Sequence, residues 1–128
     1  MQWLQLFALS SISIAIDAFT TQCTSKSPFV WLLGMAHYIF STYLWFGGLF
    51  GADPMSHFIW VLFVFIGWIL FKWKCWWTVL YNRLCDLDDD TYHRDILYWI
   101  STIFPDAYKQ VFYLVIVFFV LALDFSKI

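Results

Sequence analysis

FVWLLGMAHYIFSTYLWFGGLF, residues 29–50, decides the fold class of this chain, because it is a run of 22 residues without a charged side chain. About 20 apolar residues in a helix span a hydrocarbon core roughly 30 Å thick. Pro28 precedes the run, and proline suits the first position of a helix. The turn Gly51-Ala52-Asp53-Pro54 breaks the chain after it. The stretch therefore predicts a helix that crosses a membrane.

The composition of the whole chain agrees with this prediction. Of 128 residues, 62% are hydrophobic and 12% are charged, whereas a soluble domain is about half apolar and a quarter charged. A chain this short cannot bury so much apolar surface in water, but side chains that face lipid need no cover. The sequence also lacks a basic patch that could neutralise phosphates, so no nucleic-acid partner is expected.

Three further apolar stretches predict spans over approximately residues 3–20, 57–80 and 108–124. The helix that begins at His57 could continue through Trp73 to Leu84. Residues 91–104 contain an apolar run too short to cross, and they predict an interfacial helix that Pro105 stops. We expect an all-α integral membrane bundle of four transmembrane helices plus one interfacial helix, in a single domain over residues 1–128. Residues 3–20 predict a retained helix rather than a cleaved signal peptide. If this helix lies along the membrane surface, the number of spans falls to three.

The basic residues predict an orientation. With four spans, one side of the membrane receives six of them and the other side receives Lys127. The six are Lys26, Lys72, Lys74, Arg83, Arg94 and Lys109. Loops on the inner side carry the Lys/Arg excess, so this side should be the inner one and both termini should face out.

Aromatic residues cluster beside the same basic loops. Trp and Tyr favour the membrane–water boundary, where the ring is buried and the polar atom stays hydrated. We therefore predict a set of interfacial anchors: Trp73, Trp76, Trp77, Tyr81, Tyr98 and Trp99.

His37 is the most informative single residue, because it is an ionisable group inside an uncharged span. Leaving such a group unpaired in lipid costs several kcal/mol, so it is a functional hypothesis by default. Helical spacing places it close to one face with Gly34, Ser41, Trp45 and Gly48. The favoured interpretation is a helix–helix contact in which small residues allow close approach. Proton or ligand handling is the alternative.

The other titratable groups predict less. His57 should be hydrated at the start of a span, Ser56 could cap the helix there, and His93 should titrate in water. Asp17 and Asp124 should be charges at helix ends. The four acidic residues in 86–90 predict a solvated linker, with a divalent-cation site as the weaker alternative because the Gly and Glu of an EF-hand loop are missing.

The cysteines predict neither a disulfide framework nor a zinc site. Cys23, Cys75 and Cys85 are odd in number and show no CxxC spacing. The histidines are not paired along one helix, so a His/Cys metal site would need ligands from different segments. We expect no metal.

Residues 37–124 resemble a bacterial family of uncharacterised small polytopic membrane proteins, with looser relatives in giant DNA viruses. That family carries a His in one span followed by Gly-Gly, a His opening the next span, a C-P-L-T-x-x-E-N signature and a Pro before the last helix. The matching residues are His37, Gly47, Gly48, His57, Cys75, Thr78, Asn82, Leu84 and Pro105. Trp76-Trp77 replaces Pro-Leu, and Tyr81 stands where Glu is expected. The resemblance implies an architecture, with Cys75, Thr78 and Asn82 in a structured juxtamembrane motif, and no reaction.

These observations predict a role without catalysis. No Ser or Cys nucleophile has a recognisable base near it in sequence, and no Gly-rich phosphate loop exists. We expect a structural or accessory membrane subunit that packs against membrane lipids and other integral membrane subunits, without a cofactor other than structural lipids. A respiratory or ATP-synthase complex in the mitochondrial inner membrane and a viral or cellular membrane both suit such a chain. The alternative is a small oligomeric transporter, channel or proton-handling protein built around His37. A third class is a membrane enzyme that acts on lipid, using His93 and the acidic cluster in 86–90.

Overall fold

The computed structural model describes residues 1–20, 23, 27–88 and 95–128, and it is helical throughout these ranges apart from turns. The helices are α1 (Trp3–Thr20), α2 (Pro28–Phe46), α3 (Pro54–Leu70), α4 (Trp76–Leu84), α5 (Ile96–Ser101) and α6 (Lys109–Lys127). A 3-10 turn, Asp106–Tyr108, leads into α6. No strand is present in the described ranges, which confirms the all-α prediction.

Among the described residues, two segments are long and apolar enough to cross a membrane. They are α2, with 19 residues, and the 22-residue segment Asp106–Lys127 that contains α6. The apolar helices α1 and α3 fall short of the same length. Two of the four predicted spans therefore pass this test, and a bundle of four spans is not confirmed.

The described helices form two packed pairs. α1 lies against α2, and α3 lies against α6. His57 near the start of α3 contacts Asp124 near the end of α6, while Trp68 near the end of α3 contacts Tyr113 near the start of α6; the pair is therefore antiparallel. α4 packs on α2.

A layer of aliphatic side chains joins α2 to the α3–α6 pair. Its buried members are Leu44, Val61, Val117 and Val120. Partly buried residues, including Phe65 and Trp68, close around this layer. Dispersion and close packing hold such contacts together whether the surrounding solvent is water or lipid.

The buried face of α1 contains two small serines, which allow close packing against α2. Leu6, Ser10 and Ser13 are buried, at the spacing of one helix face. The Ser10 hydroxyl donates to the Leu6 carbonyl over 2.8 Å, and the Ser13 hydroxyl reaches the Leu9 carbonyl. Because these hydroxyls are satisfied within their own helix, they can be buried without a partner on α2.

The predicted continuous helix over residues 57–80 is wrong, because α3 ends at Leu70. Lys72 and Trp73 adopt left-handed backbone conformations, with φ of 55° and 67°. The amide of Trp73 donates back to the Trp68 carbonyl over 2.6 Å, which is the closing bond of a Schellman motif. The motif usually has glycine at the position of Lys72, so no glycine or proline signalled this helix end in the sequence.

Other boundaries also differ from the predictions. α2 ends at Phe46, before the turn that contains Gly47 and Gly48. α5 covers only Ile96–Ser101 of the predicted interfacial helix over 91–104, and residues 91–94 lie outside the described residues. Asp53, not Ser56, caps α3: its carboxylate accepts the Ser56 amide over 2.9 Å, and this bond holds the pKa of the Asp53 carboxyl below its usual value.

The prediction against a disulfide is also wrong. Cys23 and Cys85 are bonded, and the bridge joins the segment between α1 and α2 to the end of α4. The two residues are separated by 62 positions, so only the folded topology brings them together. Cys75 is the remaining thiol.

Candidate functional site

The most deeply buried ionisable groups in the described structure form one pair. The imidazole of His57 lies 2.6 Å from the carboxylate of Asp124, through Nδ1 and Oδ2. Both side chains are completely inaccessible to solvent. The prediction of a hydrated His57 is therefore wrong, because the antiparallel packing of α3 on α6 covers this residue. Asp124 does lie in the last turn of α6, as predicted, but the same packing buries it.

The second ring nitrogen fixes the proton count of this pair. Nε2 of His57 lies 2.9 Å from the backbone carbonyl of Tyr43, and a carbonyl oxygen only accepts hydrogen bonds. Nε2 therefore carries a proton. Either Nδ1 carries one too, and an imidazolium faces a carboxylate, or a protonated carboxyl donates to Nδ1. The pair is neutral overall in both arrangements.

The glycine pair after α2 makes room for these side chains. A methyl group on Gly47 would come within 2.9 Å of His57 Nε2, and one on Gly48 would come within 2.8 Å of Asp124 Oδ1. Any larger residue would displace the pair. The ammonium of Lys127 donates to the Gly48 carbonyl over 2.6 Å, so the same turn also holds the end of α6.

His37 lies in a second, separate contact between α2 and α4. Its ring is buried and stacks on Trp77, with centroids 5.1 Å apart and planes 9° apart. Its Nε2 lies 3.8 Å from the Cys75 sulfur, at the outer limit of a hydrogen bond to sulfur. Trp77 in turn donates its indole N–H to the Leu33 carbonyl over 3.2 Å. The contact between Cys75 and His37 could not be predicted from the sequence, because 38 positions separate the two residues.

Asp95 forms a third contact, at the start of α5. Its carboxylate accepts the Trp45 indole N–H over 3.1 Å and the Tyr98 amide over 2.8 Å, and it also bonds to the Ser41 hydroxyl. Burial raises the pKa of this carboxyl to about 6, against the lowering effect of these donors. The carboxylate thus ties α5 to α2.

The stability of the protein should depend on the protonation of Asp95. Because its pKa is raised from 3.8 to about 6, the folded state binds this proton more tightly than the unfolded state. The free energy of unfolding should therefore fall by about 3 kcal/mol as pH rises from about 4 to about 6. Thermal unfolding in mild detergent across this range measures the slope. Asp95→Asn should flatten it, and equal slopes in both proteins would contradict this assignment.

The predicted one-face set on α2 faces three different elements. Gly34 lies under Tyr81 of α4, where an added methyl would be 2.9 Å from the ring. His37 faces α4, Ser41 faces Asp95, and Gly48 faces Asp124 of α6. These residues therefore do not converge on one site. They are positions at which α2 and the turn after it contact neighbouring segments.

The predicted juxtamembrane motif is helical. Cys75 precedes α4, and Asn82 is buried one turn from its end while Thr78 is half-buried. The predicted anchors divide by exposure: Trp73 and Trp76 are exposed, while the other four are half-buried. Those four are Trp77, Tyr81, Tyr98 and Trp99. His93, Asp89 and Asp90 lie outside the described residues.

No group of three or more potential metal ligands occurs among the described residues. The residues that sequence reasoning missed are His57, Asp124 and Asp95, each at the end of an apolar helix. The signal available for the first two was the Gly-Gly pair, since adjacent glycines at a helix end leave space for a neighbouring side chain. Comparisons found no matching family model, curated protein or solved structure.

Proposed function

We propose that the protein is a non-catalytic structural or accessory subunit of a membrane assembly, embedded in lipid and packed against partner membrane proteins. A respiratory or ATP-synthase complex and a viral membrane are assemblies of the right kind. The observation that carries the proposal is that the distribution of polar and apolar side chains is the reverse of that in a soluble protein. Buried ionisable side chains join helices, while large apolar side chains face outward.

The outward apolar surface is extensive on the α3–α6 pair. Phe63 and Leu70 of α3 are 63% and 73% exposed, and Phe118 and Phe125 of α6 are 60% and 72% exposed. In the segment Asp106–Lys127, only 17% of the most apolar 18-residue stretch is buried, whereas a core helix of a soluble protein is mostly buried. Exposed apolar area on this scale marks contact with lipid or with another protein.

The buried polar groups act as contacts between helices. His57 bonds to Asp124, Asp95 bonds to Trp45, and His37 stacks on Trp77. Polar contacts of this kind connect helices in lipid, where the hydrophobic effect does not drive helices together. Their partners are thus other side chains of the same bundle, which leaves little for a solvated active site.

Purification in mild detergent tests this proposal. We expect a fixed set of membrane proteins to co-purify with the chain, and His37→Leu to retain them because leucine still fills the contact with Trp77. A homogeneous homo-oligomer without partners, or a chain that is monomeric and folded in plain buffer without detergent, would contradict the proposal.

A second candidate function is proton handling, which the protonated His57–Asp124 pair favours. The pair shares a proton without net charge, as a relay group would. The buried aliphatic layer of Leu44, Val61, Val117 and Val120 opposes this candidate, since a proton path needs polar groups or water on both sides of the pair. Proton flux in vesicles that is lost in His37→Leu or His57→Leu while assembly is retained would favour it over a structural role.

The orientation follows from the basic residues: we propose that the loops rich in Lys and Arg lie on the inner side. Cys23 and Cys85 lie on the same side as these loops if α2 and α3 both cross. Disulfides are rare in reducing compartments, so this orientation implies that the two thiols are reduced in the cell and that their bond forms on oxidation.

The structural roles of the matching residues support the proposed kinship with the small polytopic family. Gly47 and Gly48 leave the space that His57 and Asp124 fill, and His37 lies against Cys75. Residues shared in the resemblance therefore meet in pairs, as expected if they specify one architecture.

A further inference from the structure

The turn that ends α3 places two large side chains in an unfavourable backbone conformation. Lys72 and Trp73 have φ of 55° and 67°. For residues with a Cβ, the left-handed region lowers the folding equilibrium constant by roughly fivefold to thirtyfold per residue. Two such residues in succession are therefore a substantial cost to a small protein.

Backbone geometry alone does not explain these residue types. The amide of Trp73 closes the helix end on the Trp68 carbonyl, and glycine at the position of Lys72 would make the same motif without strain. Strained residues are concentrated at sites where the side chain is used. The side chains of Lys72 and Trp73 should therefore have a use.

The surroundings of the turn indicate that use. We call residues 70–73, Leu70-Phe71-Lys72-Trp73, the α3 turn. Leu70 and Phe71 are 73% and 56% exposed, and the Trp73 ring is 47% exposed beside the exposed Lys72. Two exposed apolar side chains, an ammonium group and an indole ring therefore lie within four residues, and these are the groups that contact acyl chains, a phosphate and the membrane–water boundary.

Lys72 is also distinguished by its charge environment. Within the described residues it has no carboxylate partner, whereas Lys109 forms an ion pair with Asp106 over 2.8 Å. α3 and α6 are antiparallel, so Lys109 lies at the same end of the pair as Lys72. The charge of Lys72 is therefore available to a ligand, while that of Lys109 is partly neutralised.

We propose that the α3 turn binds the headgroup of an anionic phospholipid. The Lys72 ammonium contacts the phosphate, the Trp73 ring lies at the boundary, and Leu70 and Phe71 lie among the acyl chains. This inference rests on the proposed membrane location and names the lipid class that the protein contacts. A lysine near an anionic membrane surface contributes about a fivefold gain in affinity.

Reconstitution in nanodiscs tests the inference, using phosphatidylcholine alone or phosphatidylcholine mixed with phosphatidylglycerol. We expect phosphatidylglycerol to raise the Tm of the wild type and to remain bound in native mass spectra. Lys72→Gln should lower the affinity for this lipid about fivefold. Lys72→Gly also removes the charge, so it should lose the same affinity. In pure phosphatidylcholine it should nevertheless unfold at a higher temperature than the wild type, because glycine adopts the left-handed backbone conformation without strain.

Lys109→Gln is the matched control, and it should leave the lipid preference unchanged. Equal affinity of the wild type for both lipids would overturn the inference, as would an equal loss in Lys72→Gln and Lys109→Gln. In either case a protein that is folded in nanodiscs still supports the proposed membrane subunit. Failure to enter nanodiscs, with a folded monomer in buffer, would instead overturn the proposed function.

Discussion

Asp124→Ala should lower the free energy of unfolding by about 3–5 kcal/mol. The substitution removes the hydrogen-bond partner of His57 Nδ1 and leaves an imidazole that is fully buried. His57→Ala should have an effect of the same order, since it leaves the carboxyl group of Asp124 buried without this partner. Unfolding in mixed detergent and SDS, followed by tryptophan fluorescence, measures both changes.

The double substitution His57→Leu with Asp124→Leu should restore most of this loss. Replacing a buried ion pair by apolar side chains of similar volume is often neutral or stabilising. The Tyr43 carbonyl does not become an orphan, because it still accepts the Gly47 amide over 2.7 Å. The two single leucine substitutions should therefore sum to several kcal/mol more than the double one, which a double-mutant cycle reports as a coupling energy.

Asp106→Ala is the control, because it removes an exposed carboxylate from the same segment as Asp124. Asp106 is exposed and pairs with Lys109 over 2.8 Å, but an exposed pair of this kind contributes little to stability. We expect an unfolding curve close to that of the wild type. Additive losses in the cycle, without coupling, would show that the contact between His57 and Asp124 does not hold α3 to α6.

The parts of this fold that could be predicted are those set by local pattern. Proline and polar turn residues mark the starts of α2 and α3, and the runs without charge that follow predict two long helices, although neither predicted end matches the structure. The end of α3 could not be predicted, because Lys72 and Trp73 supply a left-handed turn that glycine normally signals. Local propensity was overridden there by the closing bond from Trp73 to Trp68.

The polar contacts could not be predicted for a different reason. Asp124 precedes the polar end of α6 and resembles an ordinary helix-end charge, and His57 follows a proline turn. Their burial depends on how α3 packs on α6, which no spacing along the chain expresses. His37 was identifiable because lipid penalises any ionisable group within a span, yet its partners Cys75 and Trp77 lie on a separate helix.

Reduction of the Cys23–Cys85 bond should destabilise the purified protein by at most about 4 kcal/mol. The bridge closes a loop with a sequence separation of 62, and the loss of loop entropy in the unfolded chain grows with this length. Helices that persist in detergent restrict the unfolded chain and reduce the effect. Unfolding of the wild type with and without a reductant measures it.

Two cysteine variants separate the bridge from the thiols. Cys23→Ala with Cys85→Ala should unfold like the reduced wild type and should not respond to reductant, while Cys75→Ala should respond as the wild type does because it leaves the bridge intact. Unchanged stability of the wild type on reduction would contradict a structural role for the bond.

The same cysteines decide the orientation of the protein in the cell. If the basic loops lie on the reducing inner side, acid quenching of cells followed by alkylation should modify all three thiols, and the bond should appear only after oxidation in vitro. Recovery of the bond from quenched cells would place Cys23 and Cys85 in an oxidising compartment. The basic loops would then face outward, and the excess of Lys and Arg would serve to contact anionic lipid rather than to set topology.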